Sequence, residues 1–180
     1  MNPGTGDALV ERVLAEYALP AEGVHGPVHW ARVLENGTRL AERNGTDLEI
    51  VQLFALFHDS RRVNEAIDHG HGARGAEFAE TLRGELIHLD DERFELLRYA
   101  CIHHTDGMTD GPRVVRTCWD ADRLDLGRVY IRPKARYLCT GAAREPDMMR
   151  WADDRACDGH VPEIATRWLS LDPRPLDPER

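Results

Sequence analysis

The stretch that most constrains this chain runs from residue 48 to residue 57, where Glu49 and Gln52 are the clearly polar residues. A helix formed here would be apolar on nearly every side, so it has to lie inside the folded domain. His58 and Asp59 follow this stretch directly. Because an unpaired ionised carboxylate in such a place would cost several kcal/mol or more, Asp59 needs a strong partner, either a metal ion or another cation such as an arginine.

The composition suits a single folded unit around that buried helix. The chain has 180 residues, of which 42% are hydrophobic and 31% are charged, enough for one domain with a substantial core. The formal net charge of -9, with no basic run to offset it, argues against a nucleic acid polymer or a membrane surface as a partner. We predict one domain over residues 1–170 and a flexible C-terminal tail over residues 171–180.

Neither export nor membrane insertion is indicated. The N-terminal residues lack a basic region followed by an apolar one, and no apolar run reaches about 18 residues. The four cysteines are widely spaced and form no Cys-x-x-Cys motif, so we expect reduced thiols. These features predict a cytoplasmic protein.

Apolar residues recur with helical spacing along most of the chain, and no strand is convincing. The sequence therefore predicts an all-α domain of about seven to nine helices. Thr46 and Glu49 form a capping box that opens the buried helix, whereas residues 129–137 show no clear period. Helices are predicted at residues 7–18, 28–43, 47–57, 71–83, 91–103, 112–126, 146–157 and 162–169.

Several of these helices carry a polar side chain on the face that points to the core. His29 and His71 lie on the apolar stripes of the second and fourth helices. Both rings are therefore predicted to lie inside the domain, as are His58 and Asp59 at the end of the buried helix.

Helix ends and helical phase select further candidates. His103 and His104 emerge at the C-terminal end of the fifth helix, and helix C-termini favour a cation. On the sixth helix Asp122 interrupts the apolar stripe, whereas Asp120 is predicted to face solvent and Asp125 is less clearly excluded. Asp122 is therefore the preferred carboxylate of this helix.

The candidates are imidazoles and carboxylates, without a thiolate. Such donors suit Mn, Fe, Co, Ni or Zn. Asp59 has two oxygens and could bridge a pair of ions about 3.5–4 Å apart, an arrangement that clamps both oxygens of a phosphoryl displacement. We therefore predict a site for one or two divalent metal ions.

The order His29, His58-Asp59 and Asp122 resembles the HD superfamily of metal-dependent phosphohydrolases. The resemblance covers about residues 28–130, the predicted core of the domain, and implies a single compact helical bundle of HD type. Three local motifs support it: His-Trp-Ala-Arg-Val at 29–33, His-Gly-Ala-Arg-Gly-Ala at 71–76 and Trp-Asp-Ala-Asp-Arg-Leu-Asp at 119–125.

The resemblance implies hydrolysis of a phosphate ester by metal-activated water. Of the neighbouring histidine pair, His103 is preferred as a ligand to a second ion, and His104 is predicted to donate to substrate phosphate. The predicted metal ligands are His29, His58, Asp59, His71, His103 and Asp122. The predicted catalytic residues are Asp59, His58 and His104.

Cations near these ligands are candidates for phosphate recognition. They lie on the helix that carries His29, on the polar connector that follows Asp59, and in the irregular segment after residue 128. The predicted substrate-binding residues are Arg32, Arg61, Arg62, Lys134 and Arg136. We expect a small phosphorylated substrate as the partner, and a monomer or a homodimer.

The sequence supports one main function and leaves two others open. The first is metal-dependent hydrolysis of a phosphate ester, of a nucleotide or another small metabolite. The second is oxidation of a small organic substrate, because the order of the candidate ligands is also similar to that of the diiron oxygenases of the HD superfamily. The third is a metal-binding domain that senses without turnover, against which the arginine-lined mouth argues.

Overall fold

A computed structural model describes residues 3–174 of the chain, with side chains from residue 6 onward. Within this range the chain forms nine α-helices, two short 3-10 helices and no β-strand, so the all-α prediction is confirmed. The 3-10 helices are Leu126–Val129 and Ala135–Tyr137. The α-helices are α1 (Pro3–Ala15), α2 (Pro27–Asn44), α3 (Leu48–Phe57), α4 (His71–Thr81), α5 (Asp91–His103), α6 (Arg113–Arg123), α7 (Gly141–Arg144), α8 (Pro146–Cys157) and α9 (Glu163–Ser170).

Helix α3 lies at the centre of the bundle, as its apolar composition requires. It packs against α2, α5 and α6, and residues 53–57 are all buried. Each large apolar side chain buried in this way contributes about 1.5–3 kcal/mol. The packing of α3 therefore fixes the position of His58 and Asp59, which follow its last turn.

The start of α3 differs by one residue from the prediction. Asp47, not Thr46, caps the helix, and its carboxylate accepts hydrogen bonds from the N–H groups of Glu49 at 3.0 Å and Ile50 at 3.2 Å. Thr46 instead helps to close α2, because its N–H donates to the carbonyl of Ala41 at 3.2 Å. The predicted capping box is therefore wrong, although the helix that it opens is present.

Helix α4 lies unusually close to its neighbours because it begins with small residues. A Cβ atom at Gly72 would be 2.1 Å from the carbonyl oxygen of Cys101 in α5. A Cβ atom at Gly75 would be 2.1 Å from the carbonyl oxygen of Phe57 in α3. Any larger residue would push α4 outward, so these glycines hold His71, its first residue, beside the ends of α3 and α5.

The segment that follows the second 3-10 helix returns to α6 and corrects one prediction. Asp120 is buried, and its carboxylate accepts hydrogen bonds from the N–H groups of Cys139 at 2.6 Å and Thr140 at 2.8 Å, and from the Thr140 hydroxyl at 2.7 Å. The prediction that Asp120 faces solvent is wrong because this segment brings donors that need an acceptor.

The remaining expectations concern the chain ends, the thiols and the membrane. Arg174 donates to the carbonyl oxygens of Tyr17 at 2.7 Å and Leu19 at 3.0 Å, whereas residues 175–180 of the predicted tail lie outside the described range. The cysteines are free thiols, as expected. Among the helices described, none is long and apolar enough to cross a membrane.

Candidate metal centre

The helices around α3 bring histidines and carboxylates to one region of the domain. All of these side chains are buried except that of Asp122, which is 14% exposed. The residues are His29 of α2, His58 and Asp59 after α3, His71 of α4, His104 after α5 and Asp122 of α6.

Cluster 1 consists of His29, His58, Asp59 and Asp122. The Nε2 atoms of His29 and His58 are 3.0 Å apart. Asp59 Oδ2 and Asp122 Oδ1 lie 3.6 and 3.4 Å from His29 Nε2, and 3.7 and 3.9 Å from His58 Nε2. Adjacent ligand atoms bound to one ion at about 2.1 Å are about 3.0–3.4 Å apart. Cluster 1 therefore has close to the spacing that a single ion requires.

Cluster 2 consists of Asp59, His71 and His104. The Nε2 atoms of the two histidines are 2.9 Å apart. The other oxygen of the shared carboxylate, Asp59 Oδ1, lies 3.1 Å from His71 Nε2 and 3.7 Å from His104 Nε2. Asp59 thus presents one oxygen to each cluster, which is the arrangement of a bridging carboxylate.

Each of the four imidazoles is held through its Nδ1 atom. Since carbonyl and ionised carboxylate oxygens can only accept, each Nδ1 carries a hydrogen, and Nε2 keeps a lone pair when the ring is neutral. The Nδ1 partners are Asp125 Oδ2 at 2.7 Å from His29, the Phe54 carbonyl at 3.1 Å from His58, the Asp68 carbonyl at 2.6 Å from His71 and the Cys101 carbonyl at 2.7 Å from His104.

In neutral rings these hydrogen bonds leave two nitrogen lone pairs facing each other in each cluster, at 3.0 Å in cluster 1 and 2.9 Å in cluster 2. Two such lone pairs repel unless a metal ion or a proton lies between them, and in cluster 2 the Arg62 guanidinium also faces His71 Nε2 at 3.2 Å. The donors are imidazole nitrogens and carboxylate oxygens, which suit first-row divalent metals. Both clusters therefore fit a metal ion, held by three mutually close side chains in each. In cluster 1 Asp122 Oδ1 adds a fourth candidate ligand atom, 3.4 Å from His29 Nε2 and 3.9 Å from His58 Nε2.

Asp125 supports cluster 1 from behind. Its carboxylate accepts hydrogen bonds from His29 Nδ1 and Arg32 Nε, each at 2.7 Å. Arg32 is buried and also donates to the carbonyl of His160 at 3.0 Å, so the structure gives it a different task from the predicted phosphate binding. Partners of this kind fix the orientation of a ligating histidine. The sequence signals for Asp125 are its place at the end of the motif over residues 119–125 and a helical phase that did not clearly exclude it.

The ionisation of the site matches metal binding. Burial raises the pKa of Asp59, but the surrounding imidazoles, His58 above all, outweigh burial and hold this pKa well below its usual range. Burial also opposes ionisation of Asp122, yet its contact with the His29 imidazole leaves the pKa lowered. Burial lowers the pKa of His58 to about 3. Burial also opposes protonation of His104, but the neighbouring Asp59 outweighs burial and raises the pKa of His104. Since ionised carboxylates and neutral imidazoles are the forms that bind metals, a metal ion at His104 competes with a proton.

Of the neighbouring histidine pair, the structure places His104 and not His103 in a cluster. His103 ends α5 with its side chain 32% exposed, and its Nδ1 contacts Asp106 Oδ2 at 2.7 Å. His104 lies one residue beyond the helix, where the hydrogen bond to Cys101 turns its Nε2 toward Asp59. The preference for His103 is therefore corrected, because His104 and not His103 continues the buried stripe of Leu97 and Cys101.

Besides Arg32, four residues were predicted to bind phosphate, and the structure places one of them, Arg62, next to a cluster. Arg62 is buried beside cluster 2. Arg61 turns away and donates to the carbonyl of Glu16 at 2.6 Å. Lys134 and Arg136 lie on the exposed stretch around the second 3-10 helix. The predicted set of substrate contacts is thus reduced to Arg62.

A cavity of about 570 Å3 adjoins cluster 2. Its buried lining consists of Arg62, Asp68, His71 and Gly72. Its more exposed part includes Ile67, Ile102, His103 and Asp106. Among the described residues that line it, Arg62 is the one arginine or lysine. The cavity gives a small molecule access to the candidate metal ligands.

The fold and the site together define a class, a helical metalloprotein with a carboxylate shared between two candidate metal positions. A family model for the HD domain matches residues 28–127. The chain therefore belongs to the HD-domain family, and the resemblance found in the sequence is confirmed.

A solved structure extends this relationship beyond the matched segment. The crystal structure of a predicted HD superfamily hydrolase from an uncultured Thermotogales bacterium shares 28% sequence identity, with a TM-score of 0.62 and 91% of each chain covered. A comparison with curated proteins finds no significant match. The family and the structural relative support a metal-dependent hydrolase family for this chain.

Proposed function

We propose that the protein is a metal-dependent phosphohydrolase that cleaves a phosphate ester of a small metabolite. The observation that carries the proposal is the position of Asp59, which offers one oxygen to each of two clusters whose histidine Nε2 atoms converge. When bound there, divalent ions would supply the Lewis acidity that activates water and neutralises charge on a phosphate group.

The residues of the chain itself position the reacting groups. The carboxylate of Asp59 sets the separation of the clusters, and His58 and His104 keep their Nε2 atoms directed at them through hydrogen bonds to backbone carbonyls. The earlier prediction that His104 donates to substrate is replaced by a ligand role. Arg62 lines the cavity, and its guanidinium, held by backbone carbonyls and by cluster 2, provides a positive charge beside a substrate phosphate.

The cavity favours a substrate with a single phosphate group. Its lining offers one arginine, whereas a polyphosphate chain is better matched by several cations. Ile67 and Ile102 provide apolar surface for the rest of the molecule. A phosphomonoester or a small phosphodiester fits this combination better than a nucleoside triphosphate.

Oxidation at a diiron site is the second candidate function. The observation that favours it is the completed cluster 2, because a second set of histidine ligands is what a pair of iron ions would need. A sensor without turnover is less well supported, since it would not need the cavity beside cluster 2.

The test begins with protein purified without added metal and without a metal-affinity column. Metal content is measured, the protein is reloaded separately with Mn, Fe, Co, Ni and Zn, and phosphate release is followed on a panel of monoesters and diesters. We expect release that a chelator abolishes and one of the metals restores. A panel without any release, together with oxygen uptake by the iron-loaded protein, would replace hydrolysis with oxidation.

A further inference from the structure

Arg62 occupies a special position next to cluster 2. Its side chain is buried, and its Nη1 atom lies 3.2 Å from His71 Nε2 and 3.4 Å from His71 Nδ1. The same atom lies 3.5 Å from Asp59 Oδ1. Since His71 Nδ1 already donates to the Asp68 carbonyl, the guanidinium faces the lone pair of Nε2. Arg62 thus points its donors at two of the three atoms of cluster 2.

The guanidinium is fixed in this place by the backbone. Arg62 Nη2 donates to the carbonyl of Ala66 at 2.6 Å, and Nε donates to that of Asn64 at 3.3 Å. Both carbonyls belong to the connector between α3 and α4, where Asn64 and Ala66 are exposed. This arrangement places a positively charged guanidinium beside Asp59 and His71.

The two clusters differ in where their arginines lie. Cluster 1 combines Asp59 Oδ2 with Asp122, and Asp125 lies directly behind His29. Arg32 and Arg128 pair with Asp125, at 2.7 and 3.8 Å, behind the ligands of cluster 1. Cluster 2 has one carboxylate oxygen and a permanent cation within 3.5 Å of it. A divalent ion at cluster 2 would be repelled by this guanidinium and would compete with it for Asp59 Oδ1.

We propose that Arg62 is a built-in competitor of the second metal ion, so that cluster 2 fills after cluster 1 and with lower affinity. This inference rests on the proposed function, because it assumes that both clusters bind metal. It means that the protein changes from one ion to two as the concentration of free metal rises, with Arg62 setting the concentration at which this happens.

The experiment compares Mn2+ binding by the wild type, Arg62→Gln and Arg62→Lys, using equilibrium dialysis and calorimetry on chelator-treated protein. Gln keeps hydrogen-bond donors and loses the charge, so we expect the second Mn2+ to bind at least about tenfold more tightly, with the first unchanged. Lys keeps the charge and should retain the weak second site. The matched control is Arg61→Gln, which removes the same charge next to Glu16 and should bind like the wild type.

An unchanged or weaker second site in Arg62→Gln would overturn the competition. A second measurement does not depend on the folding of that variant: in a Zn2+ titration of the wild type, the NMR signal of the Arg62 Nε–H should stay in place during the first equivalent and shift during the second. A signal that moves at neither step would also overturn the inference. Failure to bind any ion would instead refute the proposed function, so the two failures can be told apart.

Discussion

Clusters 1 and 2 share the carboxylate of Asp59, but different parts of the fold hold them. In cluster 1 the partner of His29 is Asp125, 96 positions away in the sequence. In cluster 2 the Nδ1 atoms of His71 and His104 rest on carbonyls three positions earlier in the chain. His29 therefore depends on the packing of α2 against the segment that follows α6, whereas the rings of His58, His71 and His104 are oriented locally at helix ends.

This difference predicts an order of metal binding. Long-range carboxylates make cluster 1 rich in negative charge, and a carboxylate behind a histidine strengthens it as a ligand. Cluster 2 has carbonyl partners and a neighbouring guanidinium. We expect the first ion in cluster 1 and the second in cluster 2, and each of the variants below tests part of this division.

The largest effect is expected from Asp59→Asn, because this carboxylate belongs to both clusters. The amide keeps the shape but loses the charge and one acceptor, so both ions should be lost, and kcat/KM should fall by at least about a thousandfold. Metal analysis after dialysis, together with phosphate release, checks the prediction. Retention of one ion per chain would show that Asp59 serves a single cluster.

The next effect separates two aspartates of α6. Asp122→Asn should lower the affinity for the first ion by more than about 100-fold. This is more than the loss expected when a residue that only supports a ligand is changed, because Asp122 is itself a candidate ligand. Asp120→Asn should leave metal content unchanged and lower the free energy of unfolding by about 1–3 kcal/mol, since three buried donors lose an ionised acceptor. Metal titration and urea unfolding measure both, and equal metal loss in the two variants would contradict the assignment of Asp122 to cluster 1.

A smaller effect is expected where cluster 2 alone is changed. His104→Ala should remove the second ion and leave the first in place, because no atom of His104 belongs to cluster 1. His103→Ala is the matched control and should keep both ions, since His103 contacts Asp106 at the surface. The readout is the number of Mn2+ ions bound per chain. Loss of the second ion in His103→Ala, and not in His104→Ala, would restore the original preference for His103.

The same division explains how much of the site could be predicted from the sequence. Helical periodicity was sufficient to direct His29 and His71 to the core and Asp122 to the partly exposed edge of cluster 1. Periodicity also separates His104 from His103, because His104 keeps helical dihedral angles and lies three residues after the buried Cys101. The preference for His103 followed the neighbouring stripe of α5 instead of the buried one. The fold class followed from the apolar α3 and the capping signals, which are local properties of the sequence.

The features that the sequence could not supply depend on contacts between distant segments. The helical phase of Asp120 predicted that it faces solvent. In the structure the backbone N–H groups of residues 139 and 140 donate to its carboxylate and bury it. Asp125 and Arg32 lie 93 positions apart, and nothing in their local sequence indicates that they form a pair. The support of cluster 1 is therefore the part of the site that required the structure.

The smallest effect on metal binding is expected from that supporting pair. In Asp125→Asn an amide oxygen still accepts from His29 Nδ1, but without the charge, so the first ion should bind about 10- to 100-fold more weakly and the second should be little affected. Arg32→Gln is the control, because it keeps the hydrogen bond between Asp125 and His29. It should lower the affinity for the first ion less than Asp125→Asn does. Calorimetry with Mn2+ measures both affinities, and thermal unfolding shows whether each variant is folded. If Asp125→Asn lowered the affinities for both ions equally, Asp125 would support the fold around both clusters and not His29 in particular.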